Sequence, residues 1–211
     1  DIYYNFVNNN PHYTQIKFID NNGYEKVEVY KVRGKIFRVP SGSLQYEGNK
    51  EYFKDTTQLS KNSTYISDIY FDIKYDKIEG VSTPIIRLTR PVYIEDKLIG
   101  YVNMDINVGY IFNDIKRVRY EREVDKVMII DNEGNYILHP NERKELNKNQ
   151  PKKEISLHKD YPTLADNILN SDKSIHKGTI DNRLVFWKGL EVGKESSMNL
   201  TLILDLDENK Y

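Results

Sequence analysis

An aspartate inside an apolar, β-rich run is the first residue to raise a question of chemistry. Asp105 lies in the stretch 101–106, Tyr-Val-Asn-Met-Asp-Ile. Carboxylates are depleted from strands, so this one needs either water or a partner. Strand alternation puts Tyr101, Asn103 and Asp105 on one face and Val102, Met104 and Ile106 on the other. The polar face is either solvated or the wall of a pocket. Arg87 and Arg90 stand three apart in the run 85–90, hence on opposite faces of a strand. One of them can enter a pocket while the other meets water.

Catalytic patterns are missing. The four histidines, at 12, 139, 158 and 176, have no Glu-x-x-His or His-x-x-Glu-His spacing. Ser41-Gly42-Ser43 reads as a loop rather than a nucleophile elbow. No glycine pattern for cradling phosphates occurs. The two Asp-Asn-x-Gly turns look like half of a calcium loop, without its later ligands and closing Glu. With 0 cysteines, thiol nucleophiles, disulfides and Cys-based zinc sites are excluded. No catalytic residue, metal or cofactor is expected, and the chain is not read as an enzyme.

The elements that must position Asp105 and the arginines are legible as a repeat. The stretch 16–29 runs Ile-Lys-Phe-Ile-Asp-Asn-Asn-Gly and then Tyr-Glu-Lys-Val-Glu-Val. The stretch 127–138 runs Val-Met-Ile-Ile-Asp-Asn-Glu-Gly and then Asn-Tyr-Ile-Leu. Asp and Asn bond their own backbone and Gly supplies positive φ, so each copy predicts a β-hairpin. The remainder predicts a helix end over 1–10, an irregular segment over 34–64 with a short helix near 49–57, and a short strand at 65–73. Strands follow at 85–94 and 98–106, turning at Glu95-Asp96, and then a helix with apolar residues at Val108, Ile111, Ile115 and Val118. After the second hairpin come a helical stretch at 161–168, a hairpin about Asp181-Asn182, and a last strand at 199–206. Hairpin, helical insert and meander occur twice over, the outline of two PAS-like α+β modules in series. The two hairpins are expected in separate sheets.

Composition fits this outline. At 211 residues the chain can hold two cores of about 100 residues each. Its 31 basic and 32 acidic residues leave a net charge of −1 and no basic stripe, so nucleic acid is not an expected partner. No run of 18 apolar residues occurs. The 17 tyrosines suit strands and pocket walls, where an apolar ring carries a hydroxyl.

Several ordered motifs then carry a resemblance. Leu44-Gln45-x-x-Gly48-x-Lys50-x-Tyr52-Phe53, Ser67-Asp68, Pro84-x-Ile86-Arg87-x-Thr89-x-Pro91-Val92-Tyr93, the run 100–105, and Ile130-Asp131-x-Glu133-Gly134-x-Tyr136-x-x-His139-Pro140 together resemble the double Cache (dCache) family of tandem PAS-like sensor domains. The resemblance implies two modules, each a roughly five-stranded antiparallel sheet flanked by helices and aligned along a long N-terminal helix. The bounds it suggests are helix end 1–12, membrane-distal ligand-binding module 13–110, connecting helix 111–122 and membrane-proximal module 123–211. It implies the extracytoplasmic sensing part of a transmembrane receptor (histidine kinase, diguanylate cyclase or chemoreceptor). Such a receptor is a homodimer attached to the membrane through segments outside this chain. The alternative is a ligand-free relay or dimerisation module, or one that senses through a partner binding protein.

The resemblance also implies a ligand set. Amino-acid-binding members show Arg-x-aromatic-aromatic, then Tyr-x-Asp, then an Asp late in a strand. Here these are Lys50-Glu51-Tyr52-Phe53, Tyr70-Phe71-Asp72 and Asp105, with Lys in place of Arg. Lys50 would hold a carboxylate, Asp72 and Asp105 an ammonium, and Tyr52 and Tyr70 would form walls. Lys lacks the flat fork of Arg, so Arg87 or Arg90 is a candidate for the carboxylate role. The expected ligand is an amino acid or small carboxylate.

Overall fold

The computed structural model describes residues 2–71, 83–121, 124–145, 156–191 and 199–207. They fall into two compact units, the first ending at Gly109 and the second beginning at Tyr110.

The first unit starts with α1 (Ile2–Asn9) and the strands β1 (Tyr13–Asp20), β2 (Glu25–Val32) and β3 (Lys35–Arg38). A 3-10 turn (Ser41–Ser43) and α2 (Glu51–Thr57) lead to β4 (Tyr65–Ile66), β5 (Tyr70–Phe71), β6 (Pro84–Ile94) and β7 (Lys97–Asn107). The sheet is antiparallel in the order β3-β2-β1-β7-β6-β4, with β5 also paired to β6. It has seven strands where about five were expected. The unforeseen one is β3, in the stretch read as irregular. Arg33 and Gly34 both adopt positive φ (50° and 73°), a tight hairpin turn that folds β3 back on β2. β4 and β5 occupy two short pieces of the strand expected at 65–73, whose last two residues lie outside the described ones.

In the second unit α3 (Gly109–Glu121) precedes β8 (Lys126–Ile130), β9 (Tyr136–Leu138) and a 3-10 turn (Glu142–Lys144). Then come α4 (Leu157–Asp160), α5 (Ala165–Leu169), β10 (Ile175–Ile180), β11 (Arg183–Glu191) and β12 (Asn199–Asp207). The five-stranded sheet has the order β10-β11-β12-β8-β9. Met128, Ile130, Val185 and Ile203 of the sheet pack with Leu157, Leu164 and Ile168 as its core. The two Asp-Asn-x-Gly hairpins thus lie in separate sheets, and their turns are built alike. Asp20 Oδ1 accepts from the Asn22 and Tyr24 amides at 3.0 and 2.9 Å. Asp131 Oδ1 accepts from the Glu133 and Asn135 amides, both at 2.9 Å. Gly23 and Gly134 take the positive φ each turn needs (90° and 79°).

One irregularity in the first sheet decides what faces what. From the β6–β7 turn, where Glu95 and Asp96 both have positive φ, the register pairs Tyr93 with Leu98. A bulge then shifts it so that Val92 pairs with Gly100 and Arg87 with Asp105. Without that extra residue every β6 side chain beyond it would face the wrong side of β7. Gly100 sits at the bulge with φ 154°, and a Cβ there would lie 2.3 Å from the Ile19 carbonyl oxygen. Gly100→Ala is therefore expected to cost about 1–3 kcal/mol, because backbone rather than a movable side chain must give way. A thermal unfolding scan of the variant checks this, and an unchanged midpoint would refute it.

Candidate functional site

The first sheet reverses the usual rule for its two faces. The face packed by α1 is apolar: Val7 of the helix sits against Ile16, Val29, Val102 and Met104. The opposite face lies under α2, where Phe53 meets Tyr101 edge-to-face at 5.1 Å. That face is polar and nevertheless buried. Register aligns its rows: Glu28, Lys17, Asn103 and Thr89 lie across β2, β1, β7 and β6, and Gln15, Asp105 and Arg87 form the next row. Asn103 and Asp105 are both fully buried. The solvated reading of this face is thereby excluded.

Asp105 and Arg87 form a two-pronged pair. Arg87 Nε and Nη2 donate to Asp105 Oδ1 and Oδ2, each at 2.8 Å. The Tyr70 hydroxyl donates to Oδ2 at 3.2 Å. The guanidinium carbon lies 4.4 Å from the Tyr52 ring centroid and 5.1 Å from that of Tyr70. The arginine is thus held at its edge by a carboxylate and stacked against two aromatic rings. Its side chain is only 13 % exposed. Burial works against its charge, but Asp105 reverses that and holds it protonated more firmly than a free arginine. The backbone joins in, since the Arg87 amide donates to Ser67 Oγ at 2.9 Å.

A second ionic cluster lies beside it, centred on Glu47. Lys17 Nζ on β1 is 3.1 Å from Glu25 and 3.2 Å from Glu47. Lys50 Nζ donates to Glu47 at 2.7 Å, and the Tyr52 hydroxyl donates to the same carboxylate at 2.5 Å. Burial opposes ionisation of Glu47, yet the Lys17 ammonium and the bonds from Lys50 and Tyr52 outweigh it and hold the carboxyl at about 2. Glu25 goes the other way: burial raises it, and Lys17 compensates only in part. Burial together with the Glu47 charge also drives the Tyr52 hydroxyl upward, so it stays a neutral donor.

Tyr52, Tyr70, Arg87 and Asp105 therefore meet at one place. Lys50 lies at its rim, bonded to Glu47 and 47 % exposed, rather than open to receive a carboxylate. Asp72 lies outside the described residues. Arg87 points inward and Arg90 is exposed. Sequence reasoning placed Asn103 beside Asp105 on a candidate pocket wall but did not single out Lys17, Gln15, Glu25, Glu28, Glu47 or Thr89 as a buried polar floor. The alternation of Gln15, Lys17 and Glu28 with Ile16, Phe18, Val27 and Val29 in the first hairpin was visible, but nothing local says that α2 covers the polar side.

In the second unit the corresponding space under the helices is filled. Tyr161, Leu164, Ile168 and Trp187 pack there with Met128 and Ile203. Among its described residues Asp205 is a buried strand aspartate, bonded by Lys126 at 2.9 Å, by Arg183 at 2.5 Å and by the Tyr161 hydroxyl. His139 is buried against Tyr136 and accepts from the Asn141 amide at 2.9 Å. Burial first, and then the Lys144 charge, hold it at about 4 and hence neutral, a structural role. Among the described residues no three His, Asp or Glu side chains come together as a metal site, and no helix is long and apolar enough to cross a membrane.

Comparison with known proteins agrees with this architecture. The extracellular domain of vpHK1S-Z8, described as a histidine kinase, superposes with a TM-score of 0.77 at 21 % identity, over 99 % of this chain and 74 % of that one. A domain of a sensory box/GGDEF family protein from Vibrio parahaemolyticus gives 0.77 at 20 % identity, over 99 % and 77 %. The ligand-binding domain of the Campylobacter jejuni chemoreceptor Tlp3, solved with L-valine, gives 0.60 at 14 % identity, over 99 % and 71 %. The first of these is an extracellular domain. No curated protein sequence matches the chain. A family model described as the sensor domain of bacterial histidine kinases matches residues 1–203, nearly the whole length, and the chain belongs to that family.

Proposed function

We propose that the first unit senses a small carboxylate, with amino acids among the candidates, bound between the polar sheet face and α2. The observation that carries this is Arg87. Asp105 takes its Nε and Nη2, and the rings of Tyr52 and Tyr70 fix its plane. A guanidinium has five N–H donors, and those on Nη1 are not spent on Asp105. A pre-oriented arginine with donors to spare is a carboxylate receptor. The acid end of the ligand is therefore assigned to Arg87 in preference to Lys50. Solved structures of similar fold contain GABA in a Pseudomonas aeruginosa chemoreceptor and L-valine in Tlp3, which supports a ligand of this size. In this reading the second unit, whose corresponding space is filled, relays the signal toward a membrane segment outside this chain.

A thermal-shift screen of amino acids and small carboxylates tests the proposal. Ligand at a hundredfold excess over Kd stabilises the folded state by about 2.7 kcal/mol, or roughly 5–10 °C for a chain of this size. The double variant Arg87→Met/Asp105→Leu removes both charges together, so it should fold and lose the shift. A relay module without a ligand would show no shift with any carboxylate. A shift that survives in the double variant would place the ligand elsewhere.

A further inference from the structure

The polar floor contains one atom that the fold leaves unsatisfied. Asn103 is 0 % exposed, and its Nδ2 donates to Thr89 Oγ1 at 2.9 Å. Among the described residues its Oδ1 has no hydrogen-bond partner, and it is the only buried side-chain polar atom of the first unit's described residues in that condition. A buried carbonyl oxygen without a protein donor is costly, and native proteins rarely keep one without a use for it.

Its neighbours do not supply the missing donor. Lys17 stands directly across on β1, but its ammonium is engaged by Glu25 and Glu47. Thr89, across on β6, already receives Nδ2. The position places the free oxygen within reach of the proposed ligand. Asn103 lies between Tyr101, which touches Phe53 of α2, and Asp105, which holds Arg87 beneath Tyr52. Two residues along a strand are about 7 Å, so Asn103 lies one small molecule's length from the arginine anchor.

Building on the carboxylate reading above, we propose that Asn103 Oδ1 accepts a hydrogen bond from the ligand and sets its chemical class. The ligand is a small carboxylate that also carries an N–H or O–H donor, such as an amino or hydroxy acid. The carboxylate goes to Arg87 and the donor goes to Asn103. Asp105, already bonded by Arg87 and Tyr70, is freed from being the main acceptor for an ammonium.

Four acids on one three-carbon skeleton test this by calorimetry on the whole chain: L-alanine, L-lactate, propionate and pyruvate. The expected result is that alanine or lactate binds at least tenfold tighter than propionate and pyruvate. Which of the two is preferred tells ammonium from hydroxyl. Asn103→Leu should bring the donor-bearing acid down to the level of propionate, a loss of about ten- to a hundredfold, and leave propionate unchanged. Propionate or pyruvate binding as tightly as both donor-bearing acids would overturn the assignment of Asn103 while the carboxylate reading stands. So would a preference that survives in Asn103→Leu. If no carboxylate, in this series or the wider screen, binds the wild type, both fall together. The wild-type series needs no variant, so a misfolded Asn103→Leu does not rescue the idea.

Discussion

Asp105→Ala is expected to destabilise the first unit by about 3–5 kcal/mol, the range seen when one partner of a buried ion pair is removed. The cause is what stays behind. Arg87 would remain inside, between two aromatic rings, with its charge uncompensated and two of its donors unbonded. This changes what the variant can be used for. A carboxylate that only held a ligand's ammonium would give a pure binding mutant with the fold intact, whereas the geometry makes Asp105 a structural partner as well. The double variant Arg87→Met/Asp105→Leu should lose far less, since neither charge is stranded. Chemical denaturation of the two variants side by side checks the ordering. A single variant as stable as the double would show that water reaches Arg87 freely.

The second large effect concerns acid. Glu47 is 1 % exposed and held at about 2, below the 4.5 of a free glutamate. A carboxyl depressed on folding adds stability above its unfolded value, and that stability is lost as pH falls through the folded one. The window is therefore about pH 4.5 down to 2, and the amount at stake is roughly 3 kcal/mol. Glu25 opposes this in part: its carboxyl is raised, so taking up a proton favours the folded chain. In Glu47→Gln most of the contribution should already be missing at neutral pH. The gap between wild type and variant should then close as pH falls toward 2. Unfolding measured at a series of pH values tests it, and a gap independent of pH would refute the assignment.

How far the sequence could be read depended on the range of the interactions involved. The hairpins at Asp20 and Asp131 were legible because their signal is local: an Asx turn and a positive-φ glycine within five residues. The same holds for the turns at Glu95-Asp96 and Asp181-Asn182. The facing of Tyr101, Asn103 and Asp105 followed from alternation alone. The pairing of Arg87 with Asp105 did not. Counting back from the turn sets Arg87 opposite Met104, and only the bulge near Gly100 moves it to Asp105. Gly100 also comes close to the Ile19 carbonyl of β1, a contact that lies some 80 residues away in the sequence. β3 was missed because Arg33-Gly34 is a weak turn signal beside Asn-Gly or Asp-Gly. Glu47 and Lys17 were missed for a different reason. Lys17, charged and on an alternating strand, reads as solvent-facing until its cover, α2, is known, and Glu47 lies in the loop before α2, where a charged residue reads as exposed.

The inverted sheet face has a consequence for anyone who improves this protein in the laboratory. Replacing buried charged sets by well-packed apolar residues is often neutral or stabilising. Selection for heat resistance would therefore favour apolar residues that replace Lys17, Glu25 and Glu47 together, and Thr89 together with Asn103. The winners would be sturdier, would keep the same backbone and, if the proposed site is right, would no longer respond to a ligand. On the proposed reading, the residues that make this sheet poor as a core are the same ones that give it something to recognise.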